Sequence, residues 1–416
     1  MTKEITAYEV ALQELHHVAE LMHLNDEVIG YLSTPQRILT VSIPVRMDNG
    51  SLKFFTGYRA QHNSALGPVK GGTRFHKDET LDDVKALSFW MTIKNALSNI
   101  PAGGAKGGIE VDPATLSKTE LERLCRAYVK AVFPMLGPKV DIPGPDVGTP
   151  QQVMAWLMDE YENLSQRHEP ATFAGKPPIL GGSLGRDRAT GRGLVYSVAE
   201  ALRKMDTTLE GKTVAIQGFG NLGSHAATFF TEAGAKVIAI VDVKGGAYNP
   251  KGIDVQAAFR QVTDTGSIAG LTNTDAIGNQ ELLEMKCDIL VPAALQNQIT
   301  ETNATRIQAR FVAEGANGPV TPAAEKIMID NGIFVLPDIV ANSGGAIVAY
   351  FELVQDLQSY FWTEGEVFQR LEKIMVNTCS NVYEISKTKN VTMRTAAWMT
   401  ALNKIILAMQ LRGWIR

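Results

Sequence analysis

The segment that decides the fold is Thr213-Val-Ala-Ile-Gln-Gly-Phe-Gly-Asn-Leu-Gly223. Its first five residues are typical of a buried strand, and the small residues after Gly223 indicate a helix. Glycines spaced G-x-G-x-x-G between a strand and a helix permit a tight turn, a close approach of the backbone to a pyrophosphate, and close helix packing. The segment therefore predicts a Rossmann-like domain whose bound dinucleotide lies against Gly218, Phe219, Gly220, Asn221, Leu222 and Gly223.

Short apolar runs continue after this segment and alternate with helical stretches. The further strand candidates are 236–241, 288–291, 310–313 and 333–336. Strands that alternate with helices predict a parallel, doubly wound sheet, because each parallel connection needs a crossover. We therefore assign the chain to the α/β class.

Asp242 directly follows the strand candidate 236–241 and lies 19 residues after Gly223. An acidic residue at this place is expected to accept hydrogen bonds from ribose hydroxyl groups, which favours NAD as the cofactor. Lys244 is close enough to meet a 2′-phosphate, so the pattern leaves NADP open as well.

The length of 416 residues suggests two or three domains at about 150 residues each. The first half mixes strands and helices, with a hairpin predicted where 37–47 and 52–58 flank Asp48-Asn49-Gly50. We place the boundary in the glycine-rich passage 181–193. The predicted domains are an N-terminal α/β substrate and oligomerisation domain, 1–185, and a dinucleotide-binding domain, 186–364. Closing helices over about 365–416 are expected to pack back onto the first domain.

The composition excludes several classes of function. Forty Lys and Arg against 44 Asp and Glu give a net charge of −4, which argues against nucleic-acid binding. The three cysteines are far apart and the histidines show no ligand spacing, so no metal site is expected and a reducing compartment fits. No apolar run reaches the roughly 18 residues that cross a membrane. We therefore expect a cytoplasmic protein that binds neither membrane nor nucleic acid.

Three lysines lie in unusual surroundings. Lys70 and Lys106 are flanked by glycines in 67–72 and 101–108. Lys94 comes late in the helix predicted over 81–99, for which Thr80 is the expected N-cap. Glycine leaves the backbone open to a ligand, and several cations in one cleft suit a substrate with more than one carboxylate. Neighbouring cations also lower each other's pKa, which can make one lysine a base near pH 7. The competing interpretation is three separate surface charges in water.

Two further polar residues follow stiff or glycine-rich segments. Asp146 comes after Ile142-Pro-Gly-Pro145, which would aim its carboxylate, although a turn aspartate before Thr149 fits equally well. Asn342 begins Asn342-Ser-Gly-Gly345, where the side chain and backbone amides are placed to face a nicotinamide.

Together these motifs resemble the glutamate/leucine/phenylalanine/valine dehydrogenase family over nearly the whole chain. The motifs that carry the resemblance, in order, are 62–75, Lys94-Asn-Ala-Leu97, the Lys106 loop, Pro145-Asp146, Ala189-Thr190-Gly191, 218–223 and 342–345. The resemblance implies two domains and a homohexamer.

The resemblance also implies roles for the polar residues around the substrate. Lys106 corresponds to the catalytic lysine that activates the water attacking an iminium, and Asp146 to the carboxylate that shuttles protons beside it. Lys94 corresponds to the lysine that holds the substrate α-carboxylate. Lys70 corresponds to the residue that meets the γ-carboxylate in the glutamate enzymes, and Met91 is expected to pack against the aliphatic stem.

Other residues correspond to cofactor contacts or depart from the family pattern. Thr190 and Asn221 correspond to cofactor contacts, and Asn342 to a residue that lines both nicotinamide and substrate. The glutamate enzymes usually carry a serine where this chain has Ala349. A lost hydrogen bond to a charged group costs roughly 1.5–3 kcal/mol, so glutamate affinity is expected to be weaker or specificity broader.

The expected activity is the reversible NAD(P)-dependent oxidative deamination of L-glutamate to 2-oxoglutarate and ammonium. One alternative is a dehydrogenase of the same family with broadened or apolar amino-acid specificity, which Ala349 favours and Lys70 opposes. A second is a nucleotide-binding regulator without turnover, which the presence of Lys106, Asp146 and Asn342 opposes.

Overall fold

The structure, a computed structural model, describes residues 6–416. The chain forms two compact units, and each unit is built from separate stretches of sequence. The first unit contains the residues up to Leu184 together with Ala346–Glu364 and Trp398–Arg416. The second unit contains Gly185–Gly345 and Gly365–Ala397. In the described part of the chain, no helix combines the length and the apolar character that a membrane crossing needs.

Helices and strands are mixed in the N-terminal part of the first unit. Its elements are α1 (Ala7–Leu21), α2 (Asp26–Leu32), β1 (Arg37–Arg46), β2 (Leu52–Asn63), β3 (Val69–His76), α3 (Leu81–Leu97), β4 (Gly103–Glu110), α4 (Lys118–Val132), β5 (Asp141–Pro145) and α5 (Gln151–Ser165). The predicted start of α3 is confirmed, because the Thr80 side chain caps it by accepting a hydrogen bond from the Asp83 amide.

The strands of the first unit form a sheet in the order β1-β2-β4-β3-β5. The predicted hairpin is confirmed: β1 and β2 are antiparallel, with Arg46 opposite Leu52. Strand β3 is parallel to both β4 and β5. One face of this sheet carries Phe75 and Ile109, which pack with Tyr128 of α4 and Leu157 of α5 in a buried core. Side chains on the opposite face of β3 and β4 lie outside this apolar core, so polar residues can occupy that face.

Strands and helices alternate through the second unit. Its elements up to the last strand are α6 (Ala189–Lys204), β6 (Thr213–Gln217), α7 (Asn221–Glu232), β7 (Lys236–Val241), β8 (Gly246–Tyr248), α8 (Val255–Thr265), β9 (Asp275–Ala276), α9 (Asn279–Glu284), β10 (Ile289–Pro292), β11 (Phe311–Ala313), α10 (Pro322–Asp330) and β12 (Phe334–Leu336). After β12 the chain continues through α11 (Asp338–Ala341), α12 (Gly344–Gln358), α13 (Glu364–Lys389) and α14 (Met393–Leu411).

The sheet of the second unit has the order β12-β11-β10-β6-β7-β8-β9. The predicted parallel strands are confirmed from β12 to β7. The antiparallel edge formed by β8 and β9 departs from the prediction of a wholly parallel sheet. These edge strands are three and two residues long, so they carry too little sequence to show a period.

The C-terminal helices are divided between the units, whereas the sequence pattern groups 365–416 with the first. In the structure, Gly365–Ala397 belongs to the second unit, whereas Ala346–Glu364, predicted as the end of the dinucleotide-binding domain, belongs to the first. The Cys379 thiol donates to the Ser197 carbonyl at 3.3 Å, and Lys204 Nζ donates to Glu384 at 2.6 Å. By contrast, Lys404 Nζ of α14 donates to the Ala96 carbonyl at 3.0 Å within the first unit. These contacts join residues too distant in sequence for local patterns to reveal.

Candidate active site

The polar face of β3 and β4 carries two of the three predicted lysines. Lys70 pairs with Gly104 and Arg74 pairs with Gly108 in the parallel ladder. Because alternate residues of a strand share a face, Lys70, Arg74 and Lys106 lie on the same side of the sheet. Lys70 and Lys106 are each only 3% exposed. The interpretation of these two lysines as isolated surface charges is therefore wrong.

Two glycines on this face make room for carboxylates of the chain itself. A Cβ added at Gly72 would lie 2.9 Å from Asp146 Oδ2, and one added at Gly108 would lie 2.8 Å from Glu79 Oε1. Side chains at these two positions would collide with the carboxylates. The sequence predicts that glycine next to the lysines opens the backbone to a ligand, but here the space holds Asp146 and Glu79.

Asp146 connects the two cations of this face. Its Oδ2 accepts a hydrogen bond from Lys106 Nζ, and its Oδ1 accepts one from Arg74 Nε at 2.9 Å. Its backbone amide donates to Thr149 Oγ1 at 2.7 Å. Both interpretations of Asp146 agree with this geometry. Its backbone forms the turn before Thr149, and its carboxylate pairs with Lys106.

Burial and neighbouring charge make the Lys106–Asp146 pair unequal in acidity. Burial lowers the pKa of the Lys106 ammonium, Arg74 lowers it further, and the carboxylate of Asp146 opposes both. Burial alone would raise the pKa of Asp146, but the charges of Lys106 and Arg74 outweigh it and hold that pKa below its ordinary value. The pair therefore combines a lysine that releases its proton more readily than an exposed one with a carboxylate that stays ionised.

The remaining substrate candidates of the first unit lie on β3 and α3. Met91 and Lys94, three residues apart, share a half-buried stripe of α3. Asn95 fixes this helix to the sheet, because its Nδ2 donates to the Gly103 carbonyl at 2.7 Å and to the Lys70 carbonyl at 3.4 Å.

Ala349 and Lys70 complete the predicted substrate residues. Lys70 Nζ lies near β5, 3.9 Å from where a Cβ of Gly144 would be. Ala349 lies on α12 in the stretch that belongs to the first unit, and it is buried. Lys70, Met91, Lys94, Lys106, Asp146 and Ala349 thus all belong to one compact unit.

The glycine turn of the second unit has the geometry that its spacing predicts. Gly218 adopts a φ of +95°, which favours glycine, and a Cβ at Gly223 would lie 1.9 Å from the Gly218 carbonyl oxygen. A Cβ at Gly220 would meet nothing within 4 Å, so the backbone is open there. No side chain caps the N-terminus of α7 within the described structure. This turn fits the pyrophosphate of a dinucleotide.

The side chains of this turn point to other protein groups. Phe219 packs on Phe259 with ring centroids 5.5 Å apart, and Leu222 Cδ2 lies 3.0 Å from where a Cβ of Gly315 would be. The Asn221 amide donates to the Asp187 carbonyl at 2.8 Å. In this structure these three side chains therefore support the turn, while the backbone stays open at Gly220.

Asn342 and Thr190 lie beside other loops of the second unit. Asn342 Nδ2 donates to the Gly315 carbonyl at 3.1 Å and to Asn317 Oδ1 at 2.9 Å, in the loop after β11. A Cβ at Gly345 would lie 2.6 Å from Thr190 Oγ1. The glycines of 342–345 therefore allow α12 to begin close to α6.

The carboxylate of Asp242 is engaged by its own loop. It accepts hydrogen bonds from the amides of Lys244 at 2.7 Å, Gly245 at 3.2 Å and Ile268 at 2.5 Å, and from the Ser267 hydroxyl at 3.1 Å. An ionised carboxylate offers about four lone-pair sites. A ribose contact would therefore compete with these bonds, and the predicted ribose role stays a prediction.

Sequence reasoning missed Arg74 and Glu79 as members of this site. Arg74 lies inside the motif 62–75, but its link to Asp146 spans 72 residues. Glu79 lies in a polar stretch, Lys77-Asp78-Glu79-Thr80, that resembles any exposed loop. The only available signal for Glu79 was its place just before the helix-capping Thr80.

The two units and these motifs define an amino-acid dehydrogenase of the α/β class. Residues 35–163 match the family described as Glu/Leu/Phe/Val dehydrogenase, dimerisation domain, and residues 181–413 match Glutamate/Leucine/Phenylalanine/Valine dehydrogenase. The chain belongs to the glutamate/leucine/phenylalanine/valine dehydrogenase family, which confirms the resemblance drawn from the motifs.

Similar proteins cover the chain almost completely. It is 49% identical to a catabolic NAD-specific glutamate dehydrogenase of Bacillus subtilis over 99% of this chain and 95% of that protein. It is 47% identical to a glutamate dehydrogenase of Thermotoga maritima over 99% of each. The crystal structure of glutamate dehydrogenase from Peptoniphilus asaccharolyticus matches at 40% identity and a TM-score of 0.89, covering 98% of this chain and 100% of that one.

A fourth relative has a name that describes its assembly. The hetero-hexameric glutamate dehydrogenase from Thermus thermophilus, solved in a Leu-bound form, is 35% identical. Its TM-score is 0.94, covering 100% of this chain and 99% of that one.

Proposed function

We propose that this chain catalyses the reversible, NAD-dependent oxidative deamination of L-glutamate to 2-oxoglutarate and ammonium. The observation that carries the proposal is the pairing of buried Lys106 with half-buried Asp146, on the same sheet face as Lys70. Relatives from Bacillus subtilis and Staphylococcus aureus are named NAD-specific glutamate dehydrogenases, which supports both substrate and cofactor.

The residues of the first unit bind the substrate and move its protons in this proposal. Lys94 holds the α-carboxylate, Lys70 holds the γ-carboxylate, and Met91 packs on the carbon chain between them. After the Cα hydride has left, Lys106 takes a proton from the water that attacks the iminium carbon. Asp146 relays that proton from Lys106 to the nitrogen of the resulting carbinolamine and is ionised again afterwards. The C–N bond then breaks while the carbinolamine hydroxyl gives its proton to Lys106, which forms 2-oxoglutarate. The released ammonia takes up this proton and leaves as ammonium.

The second unit holds the dinucleotide in this proposal. The residues fit such a group because the open backbone at Gly220 and the uncapped start of α7 suit a pyrophosphate. When bound, NAD supplies the acceptor for the hydride. Thr190, Asn342 and Asp242 orient the nucleotide, and the choice between NAD and NADP rests on the loop 242–245.

The finer statements on assembly and location belong to the same proposal. We propose a homo-oligomer, with a hexamer following from the family resemblance, and a cytoplasmic protein. The domain labels are proposals too: substrate binding and oligomerisation for the first unit, dinucleotide binding for the second.

A second candidate function is broader or apolar amino-acid specificity. The observation that favours it is buried Ala349, which has no hydroxyl to offer a γ-carboxylate. Lys70 opposes it, because its buried ammonium offers a charge that a γ-carboxylate can pair with and an apolar side chain cannot.

An initial-rate panel that crosses NAD and NADP with L-glutamate and L-leucine tests the proposal. We expect Lys106→Met to lower kcat about 10²–10⁴-fold, the usual contribution of a general base. We expect Lys70→Met to raise KM for glutamate about tenfold or more, but not KM for leucine. Lys130→Met, which changes a lysine 61% exposed on α4, is the matched control. Normal turnover by Lys106→Met, or faster wild-type turnover of leucine than glutamate, would overturn the proposal.

A further inference from the structure

Glu79 is a buried carboxylate beside the Lys106–Asp146 pair. It lies in the loop between β3 and α3, and its side chain is 1% exposed. Its Cγ lies 2.7 Å from where a Cβ of Gly108 would be, so the side chain covers the strand face next to Lys106. Among the described residues, its Oε1 has no hydrogen-bond partner. Burying a carboxylate oxygen without a hydrogen bond costs free energy of folding, so the position of Glu79 needs a physical explanation.

Arg74 stands between Glu79 and Asp146. Its Nε donates to Asp146 Oδ1 at 2.9 Å and lies 3.8 Å from Glu79 Oε2. One guanidinium is thus shared by two carboxylates, and Asp146 receives the hydrogen bond. With Glu79 ionised, the charges of Lys106, Arg74, Asp146 and Glu79 cancel. With Glu79 protonated, the group carries one net positive charge.

We propose that Glu79 is a positioning residue that sets the pH at which Lys106 gives up its proton, acting through Arg74 and Asp146. The proposal rests on the role proposed above for Lys106. An ionised Glu79 raises the pKa of Lys106 and so favours the protonated ammonium. A protonated Glu79 lacks this effect, so Lys106 then loses its proton at lower pH. Ionisation of Glu79 therefore opposes the loss of the Lys106 proton as the pH rises.

The surroundings of Glu79 place its own ionisation near neutral pH. Burial is the largest effect and raises the pKa of Glu79 to about 7, against the opposing charges of Arg74 and Lys106. Asp146 and Asp83 of α3 raise it further. The other titratable groups within its field are Tyr58 of β2 and Tyr128 of α4, whose pKa values burial raises, so both stay neutral. Apart from the proposed base Lys106 itself, Glu79 is therefore the group named here that changes charge near neutral pH.

Two neutral variants test the inference by activity. We expect Glu79→Gln to move the acidic limb of the kcat/KM profile for glutamate to lower pH by about one unit. Glu79→Met should give the same shift, while Glu79→Asp, which keeps the charge, should stay close to wild type. Glu20→Gln, on the exposed surface of α1, is the control and should leave the profile unchanged. A uniform loss of kcat with an unmoved profile would show that Glu79 is merely structural, and would overturn the inference.

A second measurement separates this inference from the proposed function. Cyanate carbamylates only the neutral amine, so peptide mapping after brief treatment of the full chain reports the neutral fraction of Lys106 without any turnover. At about pH 9, where Glu79 of the wild type is ionised, a pKa of Lys106 lower by one unit corresponds to up to about tenfold faster labelling in Glu79→Gln. Equal labelling of Lys106 in wild type, Glu79→Gln and Glu79→Met would overturn the inference. A wild type without glutamate turnover would overturn the proposed function while leaving this measurement valid.

Discussion

A buried group of three charges offers a sharp test of the energetics of the first unit. Lys176 Nζ donates to Glu352 Oε1 and to Asp356 Oδ2, each at 2.7 Å, and all three side chains are 0% exposed. We call these residues the Lys176 cluster. Glu352 also accepts the backbone amides of Gly175 at 2.9 Å and Lys176 at 3.2 Å. The substitution Lys176→Met keeps the apolar stem but leaves two buried carboxylates without a cation.

The expected cost follows from the burial of the cluster. Removing one partner of a buried ion pair destabilises by about 3–5 kcal/mol, because the remaining charge stays desolvated. Burial raises the pKa of Asp356 from its ordinary 3.8 to about 6, although Lys176 opposes this rise. Because the folded pKa is raised, the stability contributed by Asp356 is complete below about pH 4 and is lost as pH rises through 6. Without Lys176 that loss grows, so the substitution should cost more at pH 8 than at pH 5.

Hydrogen exchange followed by mass spectrometry measures this cost locally, which suits a chain of two units because two-state unfolding is an approximation for single domains. At pH 8, we expect the amides of Gly175 and Lys176 to exchange at least 100-fold faster in Lys176→Met, the equivalent of about 3 kcal/mol. The control is Lys130→Met, which removes an exposed lysine 3.3 Å from Glu160 and leaves Arg126 as a cation beside that carboxylate. Exposed pairs are worth about 1 kcal/mol or less, so its effect should stay below about fivefold. The reasoning is refuted if both variants behave alike, or if Lys176→Met costs the same at pH 5 and pH 8.

Two further substitutions test specificity at the substrate and cofactor sites. Ala349→Ser should lower KM for glutamate about tenfold or more by restoring a hydroxyl near the γ-carboxylate, and an unchanged KM in initial-rate assays would contradict that placement. Asp242→Ala removes four hydrogen bonds from the loop 242–268. KM for NAD and NADP should rise together if Asp242 only supports the loop, whereas a rise for NAD alone would show that it also binds ribose.

The parts of the fold that sequence could predict are those decided by neighbouring residues. The capping of α3 by Thr80 and the hairpin around Gly50 each depend on a few consecutive residues. The turn at Gly218 is equally local, because its φ of +95° follows from one glycine between a strand and a helix. The family motifs added residue roles, which the resemblance implies and experiments must still test.

The partners of buried charges could not be predicted, because folding brings them together from distant positions. Arg394 donates to Glu325 at 2.6 Å and Asp338 at 3.2 Å, and it also donates to Glu314. These contacts span 56 to 80 residues and assign 365–397 to the second unit. Burial raises the pKa of Glu314 to about 8 even with this arginine present. A sequence gives the number of charged residues in a chain, but it does not show which of them are buried in contact with one another.

Glycines near the candidate site residues occur for two different physical reasons, which the sequence alone cannot distinguish. At Gly220 a Cβ would meet nothing within 4 Å, so the glycine leaves space for a ligand. At Gly72 and Gly108 the same Cβ would collide with Asp146 and Glu79. Any side chain at these two positions would displace a carboxylate from the neighbourhood of Lys106, and through it change the pKa of the proposed base. Gly72 and Gly108 therefore act on the chemistry through Asp146 and Glu79 of the chain itself, and not by opening the backbone to a substrate.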